Sequence, residues 1–341
     1  MTNTAVATLA GEFAKSAAKT DESGISADQV AQLGRAGLFK FGLQNAPFST
    51  RAESLRALAQ TCGASAWLAA TGARASGHAA HISAQGLADI GAGEAFCAIA
   101  AAPQNATLTR AGGVIKVDGV WPAVGGLDHA DWVVLDGVRD GDALVSIIVA
   151  AKELQTADYL YFGGVRGVKW RKAEAHSVVA PAHRIGPPLD GGARVDPLIG
   201  AVLGGAEGVY TLYTTSTKAR VSGVGGHAVA RFTQVQARLA ESHADLKACR
   251  ALYADLTARA DAGQADAEAL RDQAYIVRKA IEAANRLLSQ MGAMGLSEAN
   301  PVQRQFRDLR TFASAASFNW DNSLAAFGRA ELGVGDAPRA A

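Results

Sequence analysis

The chain has 341 residues, 49% hydrophobic and 19% charged, which allows two or three subdomains around shared cores and is the composition of an ordinary soluble globular protein. A formal net charge of +1 supplies no global pull toward nucleic acid or an anionic membrane, and neither is expected as a partner. No apolar run reaches bilayer-spanning length, and no signal peptide is apparent after Met1, so a cytoplasmic location is expected.

Residues 1–92 read as an N-terminal helical domain. Val30, Leu33, Gly37 and Leu38 recur near helical spacing. Leu55, Leu58, Ala59, Cys62, Ala66 and Trp67 form one apolar stripe between Glu53 and Thr71. Asn45-Ala46-Pro47 separates these two stretches, and Gly91-Ala92-Gly93 marks a boundary. Residues 93–190 change to β character. Val114–Val117 reads as a strand ended by the hairpin-type pair Asp118-Gly119. Trp132–Leu135 and Leu144–Val149 are β-branched runs separated by Gly137 and Gly141, and a run at Ala175–Ala180 is closed by Pro181. Short strands at this spacing predict a small antiparallel β-barrel or sandwich.

Residues 191–341 return to helix. Leu239, Leu246, Cys249, Leu252 and Leu256 share one face of a long helix interrupted at Asp261-Ala262-Gly263. Ile276, Val277, Ala280, Ile281, Ala284, Leu287, Leu288 and Met291 form a second stripe, whose alanines suit close helix packing in a bundle. Gly204-Gly205-Ala206-Glu207-Gly208 follows no clear strand and lacks a G-K-[ST] ending, so it reads as a small-residue helix and not as a phosphate loop. Ser222–Gly226 reads as a loop between helices. Cys62, Cys97 and Cys249 show no C-x-x-C spacing and read as buried structural thiols.

Three ordered segments carry a resemblance. The first is Gly113-Val114-Ile115-Lys116-Val117-Asp118-Gly119-Val120-Trp121, followed by Asp128-His129-Ala130-Asp131-Trp132. The second runs from Gly163-Gly164-Val165-Arg166-Gly167 to Pro181-Ala182-His183-Arg184. The third is Ser289–Gly295 with Asn300–Arg310, continued by Asn319-Trp320-Asp321 and Phe327–Gly333. Together they resemble the acyl-CoA dehydrogenase-like superfamily, nearest to its branch of two-component monooxygenases that use reduced flavin. The resemblance implies an α+β protein with an N-terminal helical domain, a middle small antiparallel β-barrel and a C-terminal four-helix bundle. It implies a homotetramer or homodimer and a small-molecule substrate. A flavin, FAD or FMN, would be held between the β-domain and the C-terminal helices, supplied reduced by a separate flavin reductase in the monooxygenase branch. Trp121, Val124, Gly125 and Gly126, with Val168 and Trp170, would face the flavin ring. Gln290, Met291 and Gly292 would pass the cofactor of a neighbouring subunit, and Arg220 and Gln234 would reach a pyrophosphate if the flavin is FAD.

The chain departs from the family where chemistry is expected. A dehydrogenase of this fold needs a carboxylate base just after its R-D-x-R motif; here Ser314–Asn319 contains none. Glu207, on another helical segment, is the remaining acid considered. The monooxygenase branch usually has a histidine where Ala315 stands, a serine where Gly125 stands, and T-G-S where Val168-Lys169-Trp170 stands. Orientation, hydrogen-bond donors and water exclusion are the protein's share of that chemistry. His78, His81 and His129 are the candidate catalytic replacements; His78 and His81, three apart, would share a helix face. No metal is expected, because no carboxylate or third histidine accompanies that pair. Trp170 either stacks near the ring or fills space left by smaller neighbours. Arg304, Arg307, Asp308 and Arg310 read as an ion-paired helix face. Three functions follow: a flavin-dependent monooxygenase acting on a small aromatic or heteroatom substrate, an acyl-CoA dehydrogenase with a non-standard base, or a catalytically weakened homologue serving as a binding or structural subunit.

Overall fold

The computed structural model describes residues 3–91, 96–158, 162–189, 194–223 and 225–335. The expected boundary residues Ala92, Gly93, Asp190 and Gly191, and Val224 of the expected loop, lie outside the described residues. Six helices come first: α1 (Asn3–Ala14), α2 (Ala17–Ser23), α3 (Ala27–Arg35), α4 (Phe48–Ala59), α5 (Gly63–Ala80) and α6 (Ala84–Asp89). The strands are β1 (Cys97–Ala100), β2 (Gln104–Ala111), β3 (Val114–Gly125), β4 (Trp132–Asp140), β5 (Ala143–Ala150), β6 (Gln155–Asp158), β7 (Trp170–Val179) and β8 (Ile185–Gly186). Five helices follow: α7 (Ile199–Ala219), α8 (Thr233–Asp261), α9 (Ala267–Ser289), α10 (Pro301–Phe312) and α11 (Trp320–Leu332). No helix among the described residues is long and apolar enough to cross a membrane.

The chain divides into two compact units, one of residues 1–46 and 64–190, the other of 47–63 and 191–341. The stripe expected as one helix from Glu53 to Thr71 is therefore two helices. The chain turns at Gln60–Cys62, α4 joins the second unit, and α5 from Ala64 onward joins the first.

In the first unit the expected antiparallel barrel is not formed. The strands make an open mixed sheet in the order β6-β7-β3-β2-β4-β5-β8, with β1 beside β4. β1 runs parallel to β4 over Cys97↔Trp132 to Ala100↔Leu135, and β2 meets β4 in parallel at Thr107↔Arg139. The other pairings are antiparallel. Closure requires the end strands to pair, but the ends here are β6, four residues long, and β8, two residues long. The alternation that reveals a strand is the same for both pairing directions. The hairpin turn also lies elsewhere than expected. Gly112 and Gly113, at φ +59° and +77°, close β2 onto β3 in the conformation a two-residue hairpin demands. Asp118-Gly119 instead lies inside β3, at a bulge against β7, where Asp118 Oδ1 accepts the Ser177 N–H at 2.7 Å. One core cluster joins Ala75 and Ala79 of α5 to Cys97, Val134 and Ile148 of the sheet.

The second unit is more than the expected four-helix bundle, because α4 packs on α7 beside α8, α9, α10 and α11. Asn300 caps α10 by accepting the Val302 N–H at 2.9 Å, with Pro301 at the first helical position. The glycines of α7 set its spacing from α4. A Cβ on Gly200 would lie 1.9 Å from Ala52 O, one on Gly204 2.1 Å from Arg56 O, and one on Gly208 2.6 Å from Gln60 O. Spaced four apart, they form a flat strip that lets the two backbones touch. All three cysteines are buried and none is in a disulfide, and burial pushes the thiols of Cys97 and Cys249 up to about 12.

Gly204→Ala will destabilise the protein by roughly 1–3 kcal/mol through overpacking. Gly11→Ala, inside α1 where a Cβ meets nothing within 4 Å, will stabilise it by about 0.5–1 kcal/mol. Opposite shifts of the urea midpoint from the same chemical change test the assignment.

Candidate functional site

The first unit gathers five of the residues expected at a flavin ring. β3 ends in Val124 and Gly125, and Gly125 pairs with Trp170 of β7. Gly126 follows at φ +80°, and its N–H donates to Val168 O at 2.9 Å. Val168 ends a 3-10 turn, Arg166–Val168, flanked by Val165 and Lys169, each at φ +53°. Two non-glycine residues in the left-handed region cost on the order of 1–3 kcal/mol each, and such strain concentrates where function requires it. Gly167 fastens the turn to the link after α2, its O accepting the Ile25 N–H at 2.8 Å, and packs on α2 itself, where a Cβ would lie 2.7 Å from Thr20 O.

Gly125 is the pivot of this cluster. A Cβ there would lie 2.8 Å from Trp67 Nε1, 3.1 Å from Val168 Cγ2 and 3.2 Å from Trp170 Cζ3. Trp67 of α5 meets Trp170 edge-on, with ring centroids 5.0 Å apart at 66°. The exposed Phe162 also packs on Trp170, with ring centroids 4.8 Å apart at 51°. The Nε1–H of Trp170 is buried and has no hydrogen-bond partner. Trp121 is placed differently. It is 0% exposed and donates its Nε1–H to Asp136 O at 3.0 Å, a core tryptophan tying β3 to β4.

The histidines separate. His78, 9% exposed near the end of α5, lies 2.6 Å from Ser146 Oγ through Nε2. Ser146 Oγ donates its single proton to Pro187 O at 2.7 Å. Its contact with His78 is therefore accepted from Nε2–H, which assigns the neutral Nε2–H tautomer. Burial holds the His78 pKa below 6.5; Asp136 opposes this, while His81 and Arg74 reinforce it. His81 is exposed in the turn after α5, so the two do not share a face. His129 is half-buried in the turn Leu127–His129, its backbone N–H donating to Gly126 O at 3.0 Å. Arg171 clamps that turn through two hydrogen bonds of 2.8 Å to the Asp128 carboxylate, which raise the Arg171 pKa. Among the described residues, no group of three or more His, Cys, Asp or Glu side chains is arranged to hold a metal.

In the second unit, Arg220 ends α7 and donates Nη2–H to Gln290 O at 3.2 Å, while its Nη1 is buried without a partner. Met291 is half-buried and Gly292 turns the exposed chain at φ +60°. Gln234 stands exposed in the first turn of α8. Ala315 precedes the 3-10 turn Ala316–Phe318, where Ser317 Oγ donates to Asp196 Oδ2 at 3.2 Å. Asp196 is occupied further by Arg194 Nη2 at 3.0 Å and the Leu198 N–H at 3.0 Å. The expected ion-paired face of α10 turns Asp308 inward, 4% exposed.

Glu207, 6% exposed, is held from two helices. Its Oε2 accepts from Arg56 Nε at 2.9 Å and Gln60 Nε2 at 2.7 Å; its Oε1 accepts from Arg56 Nη2 at 3.0 Å and Arg250 Nε at 2.6 Å. Burial alone would lower the Arg56 pKa, but its bonds to Glu207 and Glu53 more than reverse that. Sequence reasoning read Trp67 only as part of an apolar stripe. It passed over Ser146, although one hydroxyl inside the Leu144–Val149 run was a usable signal.

The chain has the acyl-CoA dehydrogenase-like fold. Residues 198–320 match the family model of the acyl-CoA dehydrogenase C-terminal domain. By sequence the chain is similar to oxygenase subunits built on this fold. It is 25% identical over 318 residues, 82% of this chain and 83% of that protein, to the flavin-dependent monooxygenase oxygenase subunit HsaA of Rhodococcus jostii (strain RHA1). It is 24% identical over an alignment of 382 positions, 96% and 93% of the two chains, to the oxygenase component of an FADH(2)-dependent resorcinol hydroxylase of Rhizobium sp. (strain MTP-10005). The structure of XiaF from Streptomyces sp., in complex with FADH2 and glycerol, matches with a TM-score of 0.84 at 20% identity, covering 99% of this chain and 96% of that one.

Two measurements test these assignments. Glu207→Gln leaves Arg250 without the carboxylate it bonds and Arg56 with Glu53 alone. Because both arginines keep some solvent contact, the loss will be about 2–3 kcal/mol, below the ~3–5 kcal/mol of a fully buried pair, read as a lower urea midpoint. For His78, the unfolded imidazole protonates near the ordinary 6.5 and the folded one only at lower pH. Its contribution to stability is thus complete above that value and declines as pH falls, by at most about 1.4 kcal/mol per pH unit. His78→Gln will flatten that part of the urea-midpoint profile; an unchanged acid limb would remove His78 as its cause.

Proposed function

We propose that this chain is the oxygenase component of a flavin-dependent monooxygenase that acts on a small aromatic or heteroatom-containing substrate and receives reduced flavin from a separate reductase. The observation that carries this reading over a dehydrogenase is the state of the carboxylates in the second unit. Glu207 is surrounded by two arginines and a glutamine, Asp196 by Ser317, Arg194 and a backbone N–H, and the 314–319 segment contains no acid. None of these groups is free to take a proton from a substrate carbon, the step a dehydrogenase of this fold requires. The similarity to monooxygenase oxygenase subunits along more than four-fifths of the chain supports the same choice.

The residues present fit a flavin. The first unit has an aromatic, largely dry cluster with an orphaned indole N–H at Trp170, and the second has an orphaned buried guanidinium N–H at Arg220. Gly125, Gly126, Val168 and Trp170 of the first unit would hold the ring; in the second unit, taken by itself, the Arg220 guanidinium is a donor of the kind a phosphate oxygen takes. A bound reduced flavin supplies the electrons that activate dioxygen. The chain's own part is to fix the ring against Trp170, to keep water out with Val124, Val168 and Trp67, and to hold Val168 in place through the Arg166–Val168 turn and its strained flanks Val165 and Lys169. His78 has its Nε2 proton committed to Ser146 and serves to order α5 against β5; of the three histidines, His129 is the one beside the ring-holding loop. A homo-oligomer is expected.

Anaerobic titration with reduced FMN and reduced FAD tests the proposal. Reduced flavin will bind at least about tenfold more tightly than oxidised flavin, a difference of ~1.4 kcal/mol, and oxygen will reoxidise it on the protein. Reduction of bound oxidised flavin by an acyl-CoA would establish the dehydrogenase instead. Absence of any flavin binding at high protein concentration would leave the non-catalytic subunit.

A further inference from the structure

The donors around Gly125 can be followed one at a time. The Gly126 N–H is spent on Val168 O at 2.9 Å, the Val168 N–H on Val165 O at 3.2 Å, and the Lys169 N–H on Arg166 O at 3.1 Å. The position before Gly126 has no side chain, and Val168 supplies none that is polar. Beside them the indole Nε1–H of Trp170 is buried and without an acceptor. Leaving such a group unsatisfied costs about 1–3 kcal/mol, and a native protein retains it where something else completes the bond. Its surroundings are aromatic: Trp67 sets its edge against Trp170, Phe162 also packs on Trp170, and a side chain at Gly125 would clash with Trp67 and press on Trp170. The tryptophan and the glycine are thus one device, in which the missing side chain makes room for the large donor.

We propose that the Nε1–H of Trp170 donates a hydrogen bond to an edge acceptor of the flavin ring, a carbonyl oxygen or imine nitrogen, and so does the work of the hydroxyl that neither Gly125 nor Val168 provides. This assignment rests on the flavin reading of the site. The occupant has to be planar to lie against these aromatic rings and has to present an acceptor on its rim. An isoalloxazine has both properties, with four heteroatom acceptors around an otherwise flat system, whereas a simple phenol presents one hydroxyl that also needs an acceptor of its own.

The test uses lumiflavin, which is the ring alone and makes no demand on Arg220, together with FMN and plain phenol. The full chain is labelled with ¹⁵N at its indoles, and Trp170→Phe identifies the Trp170 resonance while keeping an aromatic ring against Trp67 and Phe162. Lumiflavin is expected to move the Trp170 indole proton downfield and to leave that of Trp121, already bonded to Asp136 O, in place. Trp170→Phe is expected to weaken lumiflavin binding about five- to tenfold with an unchanged thermal midpoint. Gly125→Ser, which pushes both indoles aside, is expected to weaken it further. If lumiflavin and FMN bind normally while the Trp170 resonance stays put and Trp170→Phe binds as wild type does, the assignment is wrong and the flavin reading stands. If phenol moves the resonance in flavin-free protein and lumiflavin does not, the donor belongs to the substrate and the assignment is wrong. If no flavin binds the wild-type chain, both readings fall together.

Discussion

The carbonyl oxygens of Ala52, Arg56 and Gln60 lie where the Cβ atoms of Gly200, Gly204 and Gly208 would be. This backbone contact determines what the second unit is able to do. Helices normally pack about 8–10 Å apart because side chains keep them there; removing three side chains from one strip of α7 lets α4 come against it. Only at that separation do Arg56 of α4 and Gln60 just after it reach Glu207 of α7 with short hydrogen bonds. The glycines that look like a nucleotide-binding motif are therefore packing residues. The acid among them is a structural anion whose charge is neutralised by two guanidinium groups, since a buried carboxylate without such partners would be strongly disfavoured.

The same principle of missing side chains organises the first unit with a different result. Gly125, Gly126 and Gly167 each stand where a Cβ would collide, with indoles, with Leu68 and with the Thr20 backbone respectively. In α7 the saved space is filled by backbone, and the unit gains rigidity. At Gly125 it is filled by Trp67 and Trp170, and one indole N–H is left without a partner. Strain at Val165 and Lys169 holds the turn that carries Val168 into this arrangement.

Much of the fold was legible. Helical periodicity located α8 and α9, and the break at Asp261-Ala262-Gly263 falls where α8 ends. The β-branched runs lie within β3, β4, β5 and β7. Strand direction was not legible, because side-chain alternation has period two in either direction, and β1, a parallel partner of β4, passed unnoticed. Nor was the division of the Glu53–Thr71 stripe, because an apolar stripe records that a surface is buried and not against what. Asp118-Gly119 has the composition of a turn yet lies in a continuous strand, while the neighbouring Gly112-Gly113 makes the turn. Gly125, Gly126, Val168 and Trp170, expected together from the resemblance, do cluster in the structure. That Trp67 of α5 joins them was not legible, because its approach depends on the sheet it packs against.

The sequence by itself determined the helices at either end, the β character between them, the membership of the core and the absence of a carboxylate between Ser314 and Asn319. These are local properties, carried by periodicity and residue type. The tertiary structure alone decided that the sheet is open and mixed, that Glu207 is locked by Arg56, Gln60 and Arg250, that His78 holds its proton on Nε2, and that the indole N–H of Trp170 is without a partner. Each of those depends on which distant residue supplies or fails to supply the other half of a hydrogen bond. Such pairing is a property of space that residue type and spacing along the chain do not encode.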